Sequence, residues 1–181
     1  GTDPKDGKGG IASVLPFWLQ AIQTAGYEAT FMATHNSGRT GKWLPFLRTL
    51  WDLLTLRLTQ SSVPIIMMGH AGAKGSLIRL TLILGLGRLL GFKTVMHLHS
   101  ISTIKYLESP WLRRIGKVLL GVPNRLSVLT HWWATELSRH LPNSLVKVIP
   151  NPYPAEHPQL PDSFSGSHTT THVLAMSRLV P

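Results

Sequence analysis

Val63-Pro64-Ile65-Ile66-Met67-Met68-Gly69-His70 and Lys93-Thr94-Val95-Met96-His97-Leu98-His99-Ser100 are two short apolar runs, each ending in histidine, and they decide the fold. Between them Ala73 to Gly91 is of helix length, so the segment predicts strand, helix, strand. Open parallel α/β sheets bind ligands just beyond the carboxyl ends of their strands, which is where both histidine tips fall.

Outward from this unit the same alternation continues. Toward the N-terminus, Gly7-Lys8-Gly9-Gly10 precedes Ile11, Val14, Leu15, Trp18, Leu19 and Ile22, which share one helical face, with Gly26 placed to stop that helix. Pro16 is tolerated there if Ser13 is near the N-cap, and otherwise kinks the helix. Tyr27 to Thr34 alternates in the manner of a strand, and His35 to Gly41 is a polar loop. Trp43 to Leu58 carries Leu44, Leu47, Leu50, Trp51, Leu54 and Leu58 with Lys42, Arg48 and Arg57 elsewhere on the wheel, an amphipathic basic helix.

Toward the C-terminus, Ile104 to Leu120 reads as a basic helix interrupted at Ser109-Pro110. Arg125 to Thr130 reads as a strand, His131 to Leu141 as a helix and Val146 to Ile149 as a strand closed by Pro150-Asn151-Pro152. The expected organisation is a domain over 7–153, a Pro-, Ser-, His- and Gly-rich linker over 154–171, and one further strand in 172–181. The fold class that follows is α/β, a mostly parallel sheet with helices on both faces. A glycine loop of this kind normally follows a strand, and only six residues precede Gly7.

Composition narrows the partners. Lys and Arg number 18 against 8 Asp and Glu in 181 residues, a formal charge of +10, which points to phosphate esters, acidic lipid or nucleic acid. Cysteine is absent, so disulfides and thiolate metal sites are excluded. Leu77 to Leu90, the most apolar stretch, contains Arg79 and Arg88 and is short of the roughly 20 residues that a spanning helix needs. No export signal is visible at the N-terminus.

The chemistry-bearing residues gather at the strand ends. Glycines let backbone N–H groups approach a phosphate while the next helix directs its positive end at it. A nicotinamide cofactor is disfavoured, because the run ending Ala33-Thr34-His35 has no carboxylate for a ribose. An ATPase is disfavoured too, because no Lys-Ser/Thr follows the glycines. His97 and His99 are two apart on a strand and face the same way. A metal would need a third nitrogen or oxygen ligand, and no His-Glu-x-x-His helix or aspartate cluster is present. His99, beside Ser100 and Ser102, is the candidate for touching substrate, and His97, a step inside, is expected to pack. His70, followed by Gly72, Lys74 and Ser76, marks a second dock for an anionic or hydroxyl-rich ligand. Trp43, Trp51, Trp111, Arg113, Arg114 and Lys117 place aromatic and cationic groups together on helices, as the lipid headgroup boundary favours. Trp132-Trp133 is expected to pack.

In chain order these motifs resemble family 4 retaining glycosyltransferases of the GT-B class, especially enzymes of exopolysaccharide and other surface-glycan synthesis. The residues concerned are Gly9-Gly10-Ile11-Ala12-Ser13-Val14, Gly69-His70-Ala71-Gly72-Ala73-Lys74-Gly75-Ser76 with Arg79, and His97-Leu98-His99. They continue with Arg125 to Thr130, Val148-Ile149-Pro150-Asn151-Pro152 and Val173 to Leu179. The resemblance implies the N-terminal, Rossmann-like half of a GT-B fold with its first strand missing, followed by the first strand of a truncated donor domain.

It also implies that Gly9 and Gly10 lie near the donor diphosphate, that His99 is catalytic, and that Arg178 neutralises the leaving diphosphate. His70, Lys74, Ser76 and Arg79 then fall on the acceptor side. The implied partners are a nucleotide-sugar donor, a lipid-linked or polysaccharide acceptor and an anionic membrane surface, with a cytoplasmic, peripheral location and no metal. Ser177 stands where the family has glycine, and the paired glutamates of its donor domain are missing, so this chain alone is expected not to turn over. The missing strand leaves a gap that either closes or is filled by His172 to Val180. The competing expectation is a non-enzymatic basic module that binds anionic lipid or nucleic acid; it draws on charge alone, and no recognised nucleic-acid motif is present to favour nucleic acid.

Overall fold

A computed structural model of the protein describes residues 10–34, 43–60, 64–72, 74–142 and 145–152. The expected linker and final strand, with Gly9 and Arg178, lie outside the described residues. Six helices, α1 (Gly10–Thr24), α2 (Trp43–Thr59), α3 (Lys74–Leu89), α4 (Ser102–Glu108), α5 (Arg113–Gly121) and α6 (His131–Ser138), accompany four strands among the described residues. The strands are β1 (Ile66–Ala71), β2 (Lys93–Leu98), β3 (Arg125–Val128) and β4 (Val146–Val148). They form one all-parallel sheet in the order β1-β2-β3-β4, an α/β architecture.

Glycines end two helices as the sequence implies. Gly26 and Gly91 have φ of 84° and 86°. Tyr27 N–H donates to Ile22 O at 3.2 Å and Gly26 N–H to Gln23 O at 2.9 Å, and Phe92 and Gly91 repeat the pattern onto Gly87 and Arg88. Both ends are Schellman closures, which need the left-handed backbone that glycine adopts without strain. The expected break at Ser109-Pro110 separates α4 from α5, with Ser109 extended (ψ 122°) as a residue before proline prefers. Thr130 begins α6 by accepting a hydrogen bond from Trp133 N–H at 3.3 Å.

One expectation is corrected, and two points that the sequence leaves open are answered. Residues 27–34 carry no strand, because apolar alternation makes a strand only where a neighbour supplies a ladder; Thr49 Oγ1 donates to Ala33 O at 3.2 Å instead. The first helix starts at Gly10, ahead of Ser13, and runs through Pro16, which removes one intrahelical donor. In α2 the leucine stripe faces outward: Leu44, Leu47, Trp51, Leu54 and Leu58 are exposed, while Phe46, Thr49 and Leu53 are buried.

The pleat sorts the sheet into two faces. One face presents Ala71, Met96, Leu98, Leu126, Val128 and Val146 to Leu77, Leu80 and Leu84 of α3, Leu120 of α5 and Trp133 and Leu137 of α6, forming the main core. Each of the fully buried leucines contributes roughly 1.5–3 kcal/mol by leaving water. A second cluster joins Phe46 and Leu53 of α2 to Ile83 and Phe92. The other face carries Met68 and Val95 behind a polar row at the strand ends.

Candidate functional site

The register places His70 beside His97, His97 beside Ser127 and Ser127 beside Lys147, so one polar row crosses all four strands. These residues share the face opposite the main core. His99 follows one side-chain period after His97 and joins the same face, and its N–H continues the ladder to Ala71 O at 2.9 Å.

The three histidines meet. His70 Nδ1 lies 2.9 Å from His99 Nε2, one ring donating and the other accepting. The rings of His97 and His99 cross edge to face at 4.5 Å, and those of His70 and His97 at 5.2 Å. Trp18 of α1 closes over them, its indole 5.9 Å from His70 and 5.3 Å from His97. Thus α1 reaches the histidine end of this face, and its Ile11 side chain comes within 3.4 Å of where a Cβ on Gly72 would stand.

His97 is completely buried, with Nδ1 2.7 Å from Ser127 Oγ and Nε2 without a partner. A buried lone pair costs less to leave unpaired than a buried N–H, so the favoured tautomer has Nδ1–H donating to Ser127. Asn151 sits beside this ring and its buried Oδ1 also lacks a partner. Its side chain favours the charged ring, although neither atom completes a hydrogen bond of good geometry.

Burial and mutual repulsion keep the cluster neutral. Loss of water, reinforced by His97 and His99, pushes His70 down to about 3. Burial, then His99, pushes His97 down to about 4, and burial lowers His99. At pH 7 the site is three uncharged imidazoles able to donate and accept hydrogen bonds or to offer lone pairs.

Sequence reasoning treated His70 and His99 as two docks; the structure makes them one. His97 packs, as expected, yet also belongs to the cluster. Its partner Ser127 and its neighbours Asn151 and Trp18 were missed. The signal that finds them is the ladder register, since His70 aligns with His97 and not with His99. His70 also brings a third ring nitrogen within 4.8 Å of those of His97 and His99.

The remaining candidates divide. Ser76 Oγ accepts from Gly72 N–H at 3.2 Å and so shapes the turn after β1. Lys74 is the first residue of α3, and Gly10 the first of α1. Arg79 is half-buried in α3, and burial lowers its pKa. Trp133 packs in the core, whereas Trp132 is exposed. Comparison with known proteins finds no matching family model, curated protein or solved structure.

Proposed function

We propose that this chain forms the acceptor-side domain of a retaining glycosyltransferase, which moves a sugar from a nucleotide-sugar to a lipid-linked or polysaccharide acceptor at the cytoplasmic face of a membrane. The observation that carries the reading is the hydrogen-bonded His70–His99 pair at the carboxyl edge of a parallel sheet, where such folds gather their ligands. His99 uses Nε2 toward His70, so its Nδ1 is the atom for an acceptor hydroxyl or the transferring sugar. His70 fixes the ring's orientation. Gly9 and Gly10 approach the donor diphosphate, Arg178 stabilises its departing charge, and His70, Lys74, Ser76 and Arg79 frame the acceptor side.

Exposed apolar residues beside cations support the membrane part. Trp111, in the turn before α5, and Ile115 and Val118 within it are 90 %, 57 % and 67 % exposed, with Arg114 and Lys117 interleaved in sequence. The outward stripe of α2 adds Leu47, Trp51 and Leu58. No described helix is long and apolar enough to cross a bilayer, so the contact is in the plane of the headgroups.

The test is transfer of labelled sugar from a panel of nucleotide-sugars onto membrane lipid extracts by the whole protein that carries this domain. His99→Ala is expected to lower transfer at least about 100-fold, within the range that positioned acid–base or electrostatic groups contribute. Unchanged transfer by a folded variant would reject the role of His99.

A further inference from the structure

We infer that His70, His97 and His99 form a binding site for a late first-row divalent cation such as Zn²⁺, with Asn151 Oδ1 as an oxygen donor beside them. This goes beyond the glycosyltransferase reading, which calls for no metal, and its test does not depend on that reading.

The geometry is close to what such an ion needs. One ring nitrogen from each histidine lies within 4.8 Å of the others. Nitrogens bound tetrahedrally at about 2.0–2.1 Å from zinc stand about 3.3 Å apart, so the widest-spaced rings need to close by at most about 1.5 Å. His70 Nδ1 and His99 Nε2 are already nearer than that, at 2.9 Å. An ion there replaces their hydrogen bond, and the shared proton moves to the far nitrogen of its own ring.

The orphaned atoms point the same way. His97 Nε2 and Asn151 Oδ1 are both buried without a partner of good hydrogen-bond geometry, and a cation between them satisfies both. The outer shell is in place as well. A ligating histidine ordinarily donates its other ring N–H to a fixed acceptor, and His97 Nδ1 has Ser127 Oγ at 2.7 Å. The ligands rise from adjacent strands in fixed register, so the site is held by the sheet and not by a loop alone. The cluster brings imidazoles and no carboxylate, a donor set that selects Zn²⁺, Co²⁺, Ni²⁺ or Cu²⁺ over Mg²⁺ or Ca²⁺.

The experiment is titration of the untagged, chelator-stripped 181-residue chain with CoCl₂, followed by visible absorption. The expected result is intense tetrahedral d–d absorption saturating at one equivalent, displaced by ZnCl₂ and unaffected by MgCl₂. His70→Gln and His99→Gln should abolish it, and Ser127→Ala should weaken affinity about 10–100-fold. The double variant His131→Gln, His140→Gln on and beside α6 should retain it. X-ray absorption of the zinc-loaded wild-type chain should count three imidazoles, a reading that survives even if the ligand variants fail to fold. No one-equivalent binding, an octahedral spectrum, binding retained by folded His70→Gln or His99→Gln chains, or fewer than three imidazoles would each overturn the site.

Discussion

His70 Nδ1 stands 2.9 Å from His99 Nε2, although the strand ladder pairs His70 with His97. The three rings therefore meet diagonally across two strand ends and share one half-buried space. Their neutrality, their cover by Trp18 and their suitability as ligands all follow from that crossing.

Stability should fall in mild acid. Each cluster histidine has a lower pKa in the fold than the ordinary 6.5, to about 3 for His70 and about 4 for His97. Between those values and 6.5 the unfolded chain binds protons that the folded chain refuses. The stabilisation is thus complete above pH 6.5 and is lost as pH falls toward the folded values, at up to about 1.4 kcal/mol for each unit and each fully buried group. Thermal unfolding in chelator-containing buffer should show Tm dropping from pH 7 to pH 5, above the carboxylate range. His70→Gln should flatten that slope, and an unchanged slope would contradict the assignment.

Asn124 should matter more than its position before a short strand suggests. Its Oδ1 accepts from Thr94 N–H at 2.8 Å and Thr94 Oγ1 at 3.0 Å, and its own N–H donates to Thr94 Oγ1 at 3.0 Å. Thr94 is fully buried, so Asn124→Ala leaves its backbone donor unmet, at a cost of about 1–3 kcal/mol. Asn124→Asp keeps the acceptor and should recover much of the loss. Urea midpoints measure both.

Two glycines at helix–sheet contacts should behave differently. A Cβ at Gly69 would collide with the Leu80 side chain, which is packed in the main core, whereas one at Gly87 meets the sulfur of Met67, a flexible and half-exposed chain. Gly69→Ala should therefore cost about 1–3 kcal/mol by overpacking. Gly87→Ala should cost less, or gain from its higher helix propensity. Paired denaturation curves read the order directly.

Vesicle flotation should reveal the headgroup contact. Binding to anionic vesicles is expected at low salt and should weaken as salt screens the charges. Arg114→Glu with Lys117→Glu should reduce it, and Ile115→Asp should reduce it even where salt is low. Equal binding to neutral vesicles, or no change in these variants, would speak against α5 as the contact.

Much of the fold was legible because its crossover unit is written in short apolar runs bounded by glycine and polar residues. The Schellman glycines and the Ser109-Pro110 break carried equally local signals. The face of α2 was not legible: Leu44, Leu47, Trp51, Leu54 and Leu58 repeat well, but so do Phe46, Thr49 and Leu53, and periodicity cannot choose which of the two faces packs and which stays exposed. The strand expected over 27–34 failed because a strand depends on a partner, which no local pattern supplies. At the site, strand-end histidines were visible, but their meeting depends on register. A shift of one residue would have turned His70 away from His97.

The meeting of the three rings is tested most directly by long-range ¹H–¹⁵N spectra of the histidine-labelled chain, recorded in metal-free buffer from pH 8 to pH 5. The rings of His70 and His97 should remain neutral throughout, with the proton of His97 on Nδ1 toward Ser127. Independent titration of these rings near 6.5 in the folded protein would contradict the shared site.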